Sequence, residues 1–179
     1  MYFLKEGKEN TQQTVSQAIL VAEQQNINYI VIASNTGETA KLLSGCNPSV
    51  ICVTHAQGFK ENGQNEMSDE AKNELQAMGM QVLTTSHILS GAERAISRLS
   101  GGMYPVEIIA RSLKMFGQGI KVCVEVAVMA LDAGLIPYGE KIIAIGGTGR
   151  GADTAAVLTP AHAQNVFDTR IHELICKPL

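Results

Sequence analysis

The chain has 179 residues, of which 45% are hydrophobic, 17% charged and 4% aromatic, with no tryptophan and a formal net charge of −3. That length fits one domain with a real core, and a core of Val, Ile, Leu, Ala and Met suits helices packed on a parallel sheet. The acidic balance and the lack of any basic run argue against a nucleic-acid or anionic-membrane partner, and no apolar run is long enough to span a bilayer.

The four cysteines, Cys46, Cys52, Cys123 and Cys176, form no C-x-x-C pair, and three of them lie in apolar runs. They read as small buried hydrophobes in a reducing compartment, with no metal site and no disulfide frame. The N-terminus, Met1 to Gly7, turns charged too early for a signal peptide, so a cytoplasmic protein is expected.

Asn10 to Gln25 has helical periodicity, with Val15, Ala18, Ile19 and Ala22 at i, i+3, i+4 and i+7. Asn10 and Gln13 are placed for a capping box, and Asn26 and Asn28 end the segment. Tyr29–Ala33 is a continuous apolar strand. It runs into Ser34-Asn35-Thr36-Gly37-Glu38-Thr39 and a short helix to Leu43. A strand, a turn of small polar residues and a helix start together form an anion-capturing arrangement. N-capping by Thr36 alone would need one hydroxyl, whereas Ser34, Thr36 and Thr39 supply three.

Ser49–Thr54 is a second buried strand and leads into His55, while Lys60 to Met67 lacks periodicity and reads as loop. Ser68-Asp69-Glu70 opens a helix to about Met78, stopped by Gly79. Met80–Thr85 is a third, weaker strand, followed by His87. Three helices fit between it and the next strand. A capping box at Ser90-Gly91-Ala92-Glu93 opens the first, which ends at Gly101-Gly102. Pro105 opens the second over Val106 to Phe116, and the third runs from Ile120 to Ala133.

That third helix is apolar on most faces, so the sheet or a second subunit must cover it, and a homo-oligomer is expected. Its exceptions, Lys121, Glu125 and Asp132, share one face. A solvated stripe is the simpler expectation for them, and a polar seam facing a ligand cleft the functional one.

Lys141–Ile145 is again a strand, and Gly146-Gly147-Thr148-Gly149-Arg150-Gly151 follows with four glycines in six positions. Glycine lets the backbone approach a ligand, and Arg150 adds a planar permanent charge. Thr154–Pro160 reads as a further strand, Ala161–Asp168 as a polar connection, and Arg170–Cys176 as a half-exposed antiparallel edge strand. In open α/β sheets ligands bind beyond the carboxyl ends of the strands, where all these polar clusters fall. The expected binding residues are Ser34, Asn35, Thr36, Gly37, Glu38, Thr39, His55, Gly147, Thr148, Gly149, Arg150, Gly151 and Asp153, around a terminal phosphate. No P-loop, dinucleotide fingerprint or nucleophile elbow is present, and no catalytic residue is assigned.

Tyr29–Ala40, Val50–His55 and Gly139–Gly151 resemble the C-terminal alpha/beta domain of pyruvate kinase. The whole chain, including Phe116-Gly117-Gln118-Gly119, resembles stand-alone archaeal and bacterial proteins of that type. The resemblance implies a three-layer α/β/α fold with a mainly parallel sheet in the order 3-2-1-4-5 plus an antiparallel edge strand. It implies a single domain over 1–179 with a helical insertion at about 88–134. It also implies that Ser34–Thr39 and Gly146–Gly151 hold a phosphorylated ligand: an allosteric effector in pyruvate kinase, flavin mononucleotide (FMN) in the stand-alone proteins. The active site of pyruvate kinase lies in a different, barrel domain, so no pyruvate kinase activity is expected. A binding module for a phosphorylated small molecule, with FMN as the candidate, is therefore expected. The alternative is a flavin-dependent or phosphometabolite-processing enzyme, with His55, Lys121 or Glu125 transferring protons.

Overall fold

The apolar strand β2 (Tyr29–Ala33) lies at the middle of a seven-stranded sheet in the computed structural model, which describes residues 1–179. The other strands are β1 (Tyr2–Phe3), β3 (Ser49–Val53), β4 (Gln81–Leu83), β5 (Ile142–Gly146), β6 (Thr154–Thr159) and β7 (Arg170–Pro178). Their order across the sheet is β1-β7-β6-β5-β2-β3-β4. The expected order holds, and the two-residue β1 adds a strand that the sequence did not announce.

Strand alternation splits the core into two faces. Ile30 and Ile32 point to one side with Ile143 and Ile145, where α1 (Thr11–Gln25) packs through Val15, Ala18 and Ala22. Leu75 of α3 (Asp69–Ala77) and Met67, just before that helix, complete that layer. Val31, Ile51, Ile142 and Ala144 point to the other side, onto α6 (Gln118–Asp132). Beyond α6 lie α5 (Pro105–Lys114) and α4 (Glu93–Ser100), the rest of the helical insertion.

β5, β2, β3 and β4 are mutually parallel. The sense reverses at β6, which pairs antiparallel with β5 so that Gly146 faces Thr154. The connection 147–153 is too short for a parallel crossover and closes only an antiparallel pair. The glycine loop is therefore the turn of a hairpin and leads into no helix. β7 is antiparallel to β6, as its alternating pattern suggested, and β1 covers its far end parallel to it.

Several local expectations change. Asn10 makes no side-chain cap to α1. Its amide instead donates to the Lys5 carbonyl at 2.8 Å, so the capping box does not form. Ser90 does not cap α4 either; Ala92 is the N-cap, and the Glu93 carboxylate accepts the N–H groups of Val106 and Glu107 at 3.1 and 2.9 Å. Glu93 thus caps the next helix, α5. The Ser68 cap holds, accepting the Ala71 N–H at 3.2 Å. After β2 the helix is only α2 (Glu38–Lys41).

Twelve of the fifteen residues of α6 are buried, Lys121 and Glu125 among them. The solvated stripe is overturned: only Asp132 is exposed, accepting from His162 Nδ1 at 2.8 Å. The chain itself covers α6, which removes the helix as a ground for association. α6 sits very close to the hairpin, since a Cβ on Gly119 would overlap the Thr154 side chain and lie 3.1 Å from Asp153 Oδ1. Gly119→Ala is expected to destabilise the protein by about 1–3 kcal/mol through overpacking, read from its urea midpoint. A wild-type midpoint would mean that α6 is not seated this way.

Candidate functional site

β2 and β5 are neighbours, with Ile32 opposite Ile145. The loops that follow them, 34–37 and 147–153, therefore leave the sheet side by side at its C-terminal edge. Ser34 is buried and its N–H donates to the Val53 carbonyl at 3.0 Å, which fixes the start of the first loop. Gly37 is the N-cap of α2 with φ 91°, and a Cβ there would meet Leu75 Cδ1 at 3.3 Å. The N–H groups of Asn35, Thr36 and Gly37 donate to no acceptor in the chain, and the hydroxyls of Ser34, Thr36 and Thr39 are likewise unengaged. The Glu38 carboxylate turns to Lys41 at 3.0 Å, so only its backbone faces the loop. Lys41 also meets Glu74 at 2.9 Å, and the hydrogen bonds it donates to Glu74 and Glu38 hold its pKa above the usual value.

The second loop is stiffer than its glycines suggested. A Cβ on Gly147 would lie 2.5 Å from the Gly151 carbonyl oxygen. One on Gly151 would overlap Thr11 Oγ1 and lie 2.9 Å from Lys8 Cα. These two glycines let the loop close on itself and dock against the segment before α1. Gly149, with φ 75°, has open space around it, and Arg150 beside it is exposed with no ion-pair partner. Asp153 is fully buried. It accepts the N–H groups of Gly7 and Thr148 at 3.0 and 3.2 Å and the Thr154 hydroxyl at 2.8 Å. It therefore braces the loop and presents no free face to a ligand or to Arg150.

His55 stands one strand further along, above β3, the other neighbour of β2. Its Nδ1 pairs with Glu66, whose second oxygen accepts from Lys60 at 2.6 Å. Its ring stacks on Phe59 with centroids 3.9 Å apart, and the His87 ring lies 5.5 Å from His55 and 5.4 Å from Phe59. Asn65 locks the loop between them, donating to the His55 carbonyl at 3.1 Å and accepting the Met67 N–H at 2.8 Å. Behind His87 the buried Lys121 pairs with Glu125, which also accepts the Leu89 N–H at 3.0 Å. The polar residues of α6, Lys121 and Glu125, thus lie buried behind His87.

The structure brings Ser34–Thr39 next to Gly147–Arg150 and sets His55 beyond them with His87. Sequence reasoning missed Phe59, Asn65 and Glu66, which lie in a stretch without periodicity. Only the loop's closure, with Gly58 N–H donating to the Gln64 carbonyl at 2.8 Å, brings them to the histidines. A cavity of about 560 Å³ lies elsewhere, between α5, α6 and the start of β7, lined by Ile108, Ile109, Leu113, Phe167 and Ile171. It contains none of the expected site residues.

The family of the pyruvate kinase alpha/beta domain matches residues 12–158, from α1 to the end of β6. Among solved structures, a pyruvate kinase from Cryptosporidium parvum aligns at 16% identity and a TM-score of 0.43, over 82% of this chain and 22% of its own length. The chain thus spans about a fifth of the solved enzyme it matches.

Burial pushes the His87 imidazole below its usual pKa; Glu125 pulls it up, while His55, Lys121 and Arg94 push it further down. The folded state then binds fewer protons than the unfolded chain, so stability is lost as pH falls through the ordinary imidazole value of about 6.5. Glu66 follows at lower pH. Burial alone would raise it, but hydrogen bonds from Lys60 and His55 outweigh that and hold its carboxyl below the usual value. His87→Gln is expected to flatten the loss of urea stability between about pH 7 and 5.5 while keeping the fall in the carboxylate range. An unchanged slope would remove His87 as its source.

Proposed function

The chain belongs to the pyruvate kinase alpha/beta domain family, and from that premise we propose that it binds a phosphorylated small molecule, with FMN as the candidate. The observation that carries this reading is the set of unengaged donors at the C-terminal ends of β2 and β5. The N–H groups of Asn35, Thr36 and Gly37 and the hydroxyls of Ser34, Thr36 and Thr39 belong to the loop after β2, and the exposed Arg150 to the neighbouring loop after β5. α2 has only four residues. Local N–H groups and hydroxyls, more than a helix dipole, would therefore meet the anion, and Arg150 would neutralise it.

The bracing of the glycine loop supports the same reading. A loop already fixed by Asp153, Thr11 and its own packing spends little ordering entropy when a ligand arrives. A second reading is an enzyme working in the same cleft, favoured by the buried Lys121–Glu125 pair beside His87. It differs from the first in requiring turnover that Lys121→Met abolishes without weakening ligand binding. A homo-oligomer is a separate proposal that rests on the exposed Ile96, Leu99 and Met103 in and after α4, a helix with no buried residue. Sedimentation as a monomer at micromolar concentration would overturn it.

Charge-assisted hydrogen bonds contribute about 1.5–3 kcal/mol each, so Arg150→Ala should weaken FMN binding roughly tenfold to a hundredfold. The fold should stay intact, because Arg150 is exposed and the loop is held by other residues. The check is a titration of wild type and variant with FMN, with riboflavin as the ligand lacking phosphate. Equal affinity for both ligands, or an Arg150→Ala protein that binds FMN like wild type, would overturn the phosphate reading. In a coupled assay with phosphoenolpyruvate, ADP, Mg²⁺ and K⁺ we expect no turnover from this chain alone; turnover would overturn its assignment as a binding module.

A further inference from the structure

We propose that the rings of His55, Phe59 and His87 form a second subsite in the cleft, which takes a planar heteroaromatic ring joined to the phosphate. This inference rests on the phosphate reading for the position of the other end of the ligand. Its own ground is the gathering of three rings within 5.5 Å of one another at the C-terminal ends of β3 and β4.

Phe59 is 43% exposed, an unusual state for a phenylalanine whose backbone is so firmly held. Its N–H donates to the Ala56 carbonyl at 3.1 Å, and the Gly58 and Asn65 hydrogen bonds close the loop around it. One ring neighbour, His55, is itself anchored by Glu66, which Lys60 holds in turn. The Thr54 and Thr84 hydroxyls meet at 2.7 Å and tie together the strand ends that carry His55 and His87. The result is a stacking platform positioned before any ligand arrives, with exposed aromatic area that the core does not use. Planar rings prefer offset or tilted stacking on such a platform.

The polar edge suits a heterocycle better than a plain hydrocarbon ring. Neither imidazole nitrogen of His87 is engaged by the chain, and the buried Lys121–Glu125 pair lies just behind it. A ring with both donor and acceptor atoms has partners there. Spacing agrees as well. Strands lie about 4.8 Å apart, so from between β2 and β5 to between β3 and β4 is about 10 Å. That is the reach of a sugar or sugar-alcohol phosphate linking a phosphate to a ring. Flavins and nucleotides share this chemistry, and the ligand series separates them.

The experiment titrates wild type, Phe59→Ala, Phe59→Tyr and Arg150→Ala with FMN, riboflavin, AMP and ribose 5-phosphate. Flavin fluorescence quenching reads ring stacking, and thermal shift reads the non-fluorescent ligands. Loss of one aromatic stacking partner is expected to weaken FMN and riboflavin by roughly tenfold, and Phe59→Tyr should restore both. Phe59→Ala should leave ribose 5-phosphate unchanged. Tighter FMN than AMP assigns the subsite to a flavin, and the reverse assigns it to a nucleobase; either supports it. If Phe59→Ala binds FMN like wild type while Arg150→Ala is weakened, the ring subsite is overturned and the phosphate reading stands. If Phe59→Ala is weakened while Arg150→Ala binds like wild type, the ring subsite stands and the phosphate reading fails. Ribose 5-phosphate binding as tightly as FMN to wild type would overturn the ring subsite.

Discussion

A carboxylate with no exposed surface governs the end of the sheet where the candidate site lies. Asp153 accepts from Gly7 in the N-terminal segment, from Thr148 in the glycine loop and from Thr154 at the start of β6. A charge withdrawn from water in this way costs free energy unless its lone pairs are filled, and here three donors fill them. Losing one donor leaves a strong acceptor short, so loop, N-terminus and hairpin hold their places together. Gly119 extends the same constraint to α6, which approaches Thr154 too closely to tolerate a side chain. The position of the helix bearing Lys121 and Glu125 thus depends on the residues that brace the loop bearing Arg150.

The glycines divide accordingly into two kinds. Gly146, Gly147 and Gly151 are needed because other parts of the chain occupy the space that a Cβ would take. Gly149 is needed only for its backbone angle, and nothing surrounds it. From the sequence all four look like clearance for a ligand, since a glycine carries no mark of what approaches it. Clearance for packing produces a stiff loop, and a stiff loop holds Thr148, Gly149 and Arg150 at one place on the rim. Pre-positioning of this kind favours recognition of a compact anion, because little order remains to be imposed on binding.

Much of the fold was legible because β2, β3 and β5 are unbroken apolar runs bounded by small polar residues. Their order in the sheet came from the resemblance, since periodicity says nothing about which strands are neighbours. The reversal at β6 was implicit in the length of the connection 147–153. Capping was legible only in part: Ser68 caps as its pattern suggests, but Asn10 finds the Lys5 carbonyl and Glu93 finds α5. A local motif names a competent side chain, and the tertiary structure decides which backbone group it serves. The residues proposed to face a phosphate could be placed at strand ends because they follow strands directly. Phe59, Asn65 and Glu66 were not, because a closed loop without periodicity brings them to His55.

The Lys121–Glu125 pair shows why spacing alone could not choose between a solvated and a buried face. A four-residue separation places both on one side of a helix whichever way that side points. Burial of the pair costs desolvation that its attraction repays only with additional hydrogen bonds, and Glu125 has one from the Leu89 N–H. That bond seats the segment after β4 on α6, which gives the pair a structural task. The pair also stands beside His87, where Glu125 raises and Lys121 lowers the imidazole pKa. The same two side chains thereby link the packing of the helical insertion to the surroundings of His87.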